Sequence, residues 1–135
     1  MKNLALRLNL ATWILAIVLL LIPAFGGMPA EQFTGHLIAT LFWLAVYHLF
    51  FNYITPVYLM KKNLTAYFTI AVLSVLILPL LGYSLLFLSR ALFSGSFDNF
   101  YNSYSIATHF SGVKAMVMAG LFGSLFRIIT EMNRE

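Results

Sequence analysis

The stretch LTAYFTIAVLSVLILPLLGYSLLFL, Leu64 to Leu88, runs for 25 residues without a charge. As an α-helix it is about 37 Å long at ~1.5 Å per residue, more than the ~30 Å hydrocarbon core of a bilayer. So long an uncharged run reads as a membrane span. Pro79 sits inside it, so either tilt or a kink whose freed backbone groups are satisfied by neighbouring helices is expected.

Working outward, Lys61-Lys62 mark the water on the N-terminal side, and a second apolar run, from about His36 to Thr55, is expected to stop at Pro56. A first run, Leu8 to Phe25, ends in Pro23, Gly26-Gly27 and Pro29, residues that break helices. Gly26 to Gly35, holding Glu31, is then a short loop.

On the other side, Ser89 to Ser105 mixes Arg90, Asp98, Asn99 and Asn102 with Phe97, Phe100, Tyr101 and Tyr104. Amphipathic aromatics favour the headgroup layer, so this segment is expected to be a loop lying partly on the membrane. A fourth span, about Ile106 to Ile129, includes His109, Lys114 and three glycines. Its strongly apolar residues, at ~0.3 to 0.6 kcal/mol each, outweigh the ~3 kcal/mol that a central lysine costs. Lys114 falls in the outer half, where its stem can snorkel.

Composition agrees: 61% of residues are hydrophobic and 9% charged, against about 45–50% and 25% in soluble domains. The fold class expected is all-α, an integral membrane four-helix bundle occupying residues 1–135 as one transmembrane domain. Spans fall at about 8–25, 36–55, 64–88 and 106–129, and residues 130–135 start a cytoplasmic linker. A basic n-region, Lys2 and Arg7, precedes the first run, but that run is long for a signal peptide and Met28-Pro29-Ala30 is a poor cleavage site. Both termini are expected in the cytoplasm, because Lys2, Arg7, Lys61, Lys62, Arg127 and Arg134 then lie inside and Arg90 outside.

The net charge of +4 comes from basic residues scattered at the edges of apolar runs, so orientation in a membrane accounts for it and no nucleic-acid partner is expected. Cysteine is missing, which excludes disulfides and thiolate chemistry. Asn63-Leu64-Thr65 matches a glycosylation sequon but falls on the cytoplasmic side.

Candidate sites are few. Ser111, Ala115, Ala119 and Gly123 repeat every four residues, forming a small-residue stripe that lets helix backbones approach closely in lipid, whether within the chain or between copies. Trp43, Tyr47 and Phe51 form an aromatic row on the second span, with His48 and Asn52 as a polar row beside it. These read as a packing face and an interhelical hydrogen bond, or as ligand contacts.

His36 and His109 begin the second and fourth spans near the outer surface. With Lys114 they are the candidate contacts for a ligand or lipid, against a reading as interfacial groups. Neither cofactor nor metal is expected, since there is no second histidine pair for haem and no histidine-carboxylate spacing. Paired carboxylates, phosphate loops and nucleophile elbows are missing as well. The chain by itself is not expected to be an enzyme.

The turn region reads Phe50-Phe51-Asn52-Tyr53-Ile54-Thr55-Pro56-Val57-Tyr58-Leu59-Met60-Lys61-Lys62, followed by Tyr67-Phe68. It resembles the N-terminal membrane region of LytS/YehU-like sensor histidine kinases of Bacteroidetes, with their aromatic-Asn-Tyr stretch, proline and Lys-Lys pair. Four short-looped spans and the basic exit from Arg127 to Arg134 extend the resemblance over essentially the whole chain.

The resemblance implies a sensor or anchor module in the bacterial inner membrane, acting as a homodimer. It would couple a membrane-level stimulus to a cytoplasmic kinase core in cis, and through that core to a response regulator. The family's phosphoacceptor histidine lies in a Pro-His-Phe-x-Asn context that His36, His48 and His109 lack, so no catalytic residue carries over. The alternatives are a stand-alone four-helix membrane protein that binds a lipid, quinone or haem, and a small transporter component.

Overall fold

The computed structural model describes residues 3–94 and 106–133, and of residues 31, 94 and 106–108 the backbone alone. The described residues are all-helical. Helix α1 covers Leu4–Phe25, α2 covers Ala30–Leu49 and continues as a wider π-helical segment over Phe50–Leu59, α3 covers Leu64–Ser94 and α4 covers Ile106–Met132. Each of the four is long and apolar enough to cross a membrane.

The helices outrun the expected spans. Helix α2 starts at Ala30, six residues before His36, because Pro29 supplies the first accepting carbonyl, to Phe33 N–H at 3.0 Å, and Gly35 alone does not break a helix. Helix α3 runs through Ser94 without a break at Pro79, so residues 89–94 of the expected surface loop are helical and the rest of that loop, with Asp98 and Asn99, lies outside the described residues. In α4 the winding persists through Met132, into the expected linker of 130–135, of which the last two residues are likewise outside.

Pro56 does not stop the second helix, which corrects the expectation of an end at Thr55. A proline in an α-helix clashes with the carbonyl four residues back. Here the backbone widens so that Met60 N–H reaches Thr55 O at 2.8 Å and Asn63 N–H reaches Tyr58 O at 2.9 Å, five residues back in each case. Such π winding appears where an ordinary turn cannot be made. Past Leu59 the chain turns at Lys62, in the left-handed region at φ 62°. Asn63 caps α3 by accepting the Ala66 N–H on its side chain at 3.3 Å.

The core lies between the second and fourth helices. Val46, Phe50 and Ile54 meet Met116 and Ala119 there, flanked by Phe42, Trp43, Tyr67, Ile70 and Val75. Helices α1 and α3 contribute little to it: 6% of each one's most apolar window is buried, against 33% in the second helix and 28% in α4. Their leucines and isoleucines, Ile14, Leu19, Ile22, Leu73, Ile77 and Leu81 among them, face outward. An apolar exterior of that extent exceeds what soluble monomers expose.

Helix α4 comes closest to its neighbours. A Cβ on Gly123 would lie 2.5 Å from the Tyr47 carbonyl oxygen and 3.2 Å from the Phe51 nitrogen, and one on Gly112 would lie 2.8 Å from Pro79 Cβ. Glycine at 123 lets two backbones touch, and glycine at 112 leaves room for the Pro79 ring.

Candidate functional site

A cavity of about 810 Å³ opens between all four helices, within the ~300–1,000 Å³ usual for small-molecule sites. Ala11, Thr12, Leu15, Ala16 and Leu19 of α1 line one side, and His36, Ala39, Thr40, Phe42 and Trp43 of α2 the next. The circuit closes through Pro79, Gly82, Tyr83 and Leu86 of α3 and through α4 from Ser111 to Phe126. On α4 the lining covers about 22 Å at ~1.5 Å per residue, so the cavity is elongated along the bundle.

Its two ends differ chemically. The end at the starts of α2 and α4 carries the His36 imidazole and the Ser111 hydroxyl, both exposed, and the half-buried Thr40 and Tyr83. Beyond them the walls are mostly leucine, methionine, phenylalanine and alanine, with the Thr12 hydroxyl already bonded to Leu8 O, and among the described residues no charged side chain lines the cavity. Contacts that keep it from collapsing are built on small residues: a Cβ on Gly82 would meet the Phe42 ring at 3.1 Å, and Pro79 fills the space beside Gly112.

The N-terminal half of α1 is held by two polar contacts. Tyr47 donates its hydroxyl proton to Asn9 Oδ1 at 2.9 Å, and the Trp13 indole N–H donates to His48 Nε2 at 2.7 Å. Thr12, buried beside them, donates back to Leu8 O at 2.9 Å. From Ile14 to Phe25 α1 has no polar side chain at all, so its C-terminal half rests on apolar contact. In a non-aqueous surrounding each polar contact is worth about 0.6 kcal/mol on average and up to ~1.7. Asn9→Leu combined with Trp13→Phe is therefore expected to free the N-terminal end of α1, raising its backbone hydrogen exchange about tenfold while α4 is unchanged. Equal protection in variant and parent would show that these two contacts do not anchor the helix.

A second polar cluster ties the π extension of α2, the start of α3 and the last turns of α4. Thr55 donates to Ser124 Oγ at 3.0 Å, and Ser124 and Tyr67 share a hydrogen between their hydroxyls at 2.7 Å. One turn further along α4, Arg127 lies over the Phe51 ring, 5.4 Å from its centre, and pairs with Glu131 at 2.8 Å.

The sequence candidates divide accordingly. His36, Ser111 and Ala115 line the cavity, whereas Ala119 and Gly123 are buried against the second helix of the same chain. His109, half-buried, and Lys114, exposed, are outside the lining. Among the described residues no three of His, Asp and Glu converge as metal donors. In the aromatic row Trp43 stacks on Tyr47 (6.1 Å, 7°) and Tyr47 on Phe51 (5.9 Å, 24°), while Asn52 is exposed.

Sequence reasoning missed Asn9, Trp13, Thr55, Tyr67, Tyr83 and Ser124. A polar residue at the edge of an apolar run was the one signal available, and it names no partner. Comparison with protein-family models, curated proteins and solved structures finds no match to this chain.

Proposed function

We propose that this chain is the membrane sensor or anchor module of a bacterial two-component histidine kinase, placed in the inner membrane with both termini in the cytoplasm. The observation that carries the reading is the position of α4. It touches α1, α2 with its π extension, and α3, walls the cavity along its length, and ends in the Arg127–Glu131 pair. Any change in how the bundle packs around the cavity must shift α4. A two-state shift of that kind is what a following kinase core would read.

The outward-facing leucines and isoleucines of α1 and α3 support a lipid surrounding, and the Lys and Arg count supports the orientation. In the same reading the module is a homodimer, and its kinase core hands the phosphoryl group to a response regulator. Because Ala119 and Gly123 are used within the chain, the dimer contact belongs to another face.

Two measurements test this. The native coding region is expected to continue past Glu135 into a charged helix and an ATP-binding core; a stop codon there overturns the kinase reading. Reporters active on one side of the membrane are expected to show Lys62 inside and Asn99 outside, and the opposite pattern overturns the topology. The cavity favours one second reading, a stand-alone membrane protein that binds a lipid or quinone, for which the stop codon is the expected result.

A further inference from the structure

We infer that the four-helix cavity is a binding site for a quinone-type molecule, a flat uncharged ring with carbonyl acceptors carrying an apolar tail. As the stimulus of a sensor this ligand rests on the proposed function; as a ligand of the cavity it does not.

The argument starts from the distribution of polarity. A phospholipid headgroup or other ion placed in the cavity would find no counter-charge among the described lining residues, and an unpaired charge in an apolar surrounding is costly. A purely apolar occupant would leave the His36, Ser111 and Thr40 polar groups at one end unused. Imidazole N–H and hydroxyl groups are donors suited to carbonyl oxygens, and a quinone ring presents two such oxygens with no charge.

Shape agrees with chemistry. Beside the polar end, Phe42 and Trp43 supply flat faces for a ring, and the elongated apolar remainder reaches Phe126. Entry needs no new opening. Ala11, Leu15, Leu19 and Ala39 line the cavity and are also exposed, so a molecule dissolved in the bilayer reaches it between α1 and α2. That passage lies beside the C-terminal half of α1, which no polar contact holds.

The chain has two tryptophans, Trp43 in the lining and Trp13 outside it. Both are kept, because Trp13 anchors α1, and the Trp43 signal is the part of the emission that Trp43→Phe removes. The protein, in nanodiscs of phosphatidylcholine, is titrated with decylubiquinone, and Trp43 fluorescence is followed. Saturable quenching at one quinone per chain is expected. Ala39→Phe, which fills the cavity from α2, and the milder His36→Leu with Ser111→Ala, which removes head-end donors, are each expected to weaken binding at least tenfold. Far-UV helicity and thermal unfolding equal to the parent's establish that each variant is folded; should Ala39→Phe not fold, the second variant carries the test.

Quenching that rises linearly with the quinone content of the bilayer, or that both folded variants leave unchanged, overturns the proposal. So does quenching by brominated-chain phosphatidylcholine that decylubiquinone does not relieve, which would assign the cavity to ordinary acyl chains. None of these results bears on whether a kinase follows, which the coding region and the topology reporters decide.

Discussion

Replacing Gly123 by leucine is expected to lower the thermal unfolding temperature of the purified protein by on the order of 10 °C, a loss of about 3 kcal/mol. The first atom of any side chain there meets the Tyr47 carbonyl oxygen at 2.5 Å, Phe50 Cβ at 3.0 Å and the Phe51 nitrogen at 3.2 Å. Two of those three are backbone, which cannot swing aside as a flexible side chain does. Helix α4 must move away, and the Val46–Phe50–Met116–Ala119 core opens with it. Gly35→Ala is the matched control. Its Cβ would meet only Leu86 Cδ2, at an ordinary 3.8 Å, so the gain in helix propensity, ~0.5–1 kcal/mol, is expected to show as slight stabilisation. Equal behaviour of the two variants would mean that the close approach of α4 to the second helix is not what holds the bundle.

The second large effect is expected at Ser124. Its hydroxyl accepts from Thr55, which is fully buried, and shares a hydrogen with Tyr67. Ser124→Ala leaves the Thr55 and Tyr67 hydroxyls without that partner, and a buried polar group left unsatisfied costs about 1–3 kcal/mol. The figure falls toward the lower end in lipid, where the unfolded reference finds partners as well. Thr55→Val keeps the shape and removes the donor. In the double variant the second substitution is then expected to cost less than it does alone, with a coupling of about 0.6 to 1.7 kcal/mol between positions 55 and 124. Costs that simply add would show the two hydroxyls to be independent.

These two sites also separate what a linear reading detects from what it misses. Gly123 stood out because it completes a four-residue repeat with Ser111, Ala115 and Ala119, and periodicity on one helix is a local property. Its partner is not local. Tyr47 and Phe51 lie more than seventy residues away, and nothing in either segment states that they meet. The repeat also divides in a way its regularity hides, with Ser111 and Ala115 on the cavity and Ala119 and Gly123 in the core. Ser124 gave less warning still, since one serine in an apolar helix often bonds only its own backbone.

Pro56 shows where a local rule fails for a physical reason. Proline ends a helix because of its missing N–H and its clash with the preceding turn, and both are relieved when the turn widens. The wider turn persists here because Phe50, Phe51, Ile54 and Thr55 are buried on it, so the burial of that face offsets the cost of the unusual winding. Pro79 is accommodated differently. It lies buried inside a continuous α3, and Gly112 of α4 leaves room for its ring.

By itself the sequence determined that this is an all-helical chain with four segments long and apolar enough to cross a membrane, because length, apolarity and the shortage of charge belong to each segment alone. Only the tertiary structure decided that Leu64–Leu88, the most apolar stretch, lies toward the outside and that the second and fourth helices make the core. Hydropathy measures how readily a segment leaves water, whereas packing depends on which faces fit. The polar pairs Asn9–Tyr47, Trp13–His48 and Thr55–Ser124, and the cavity with its one polar end, likewise exist only once four helices with no local tie between them are brought side by side.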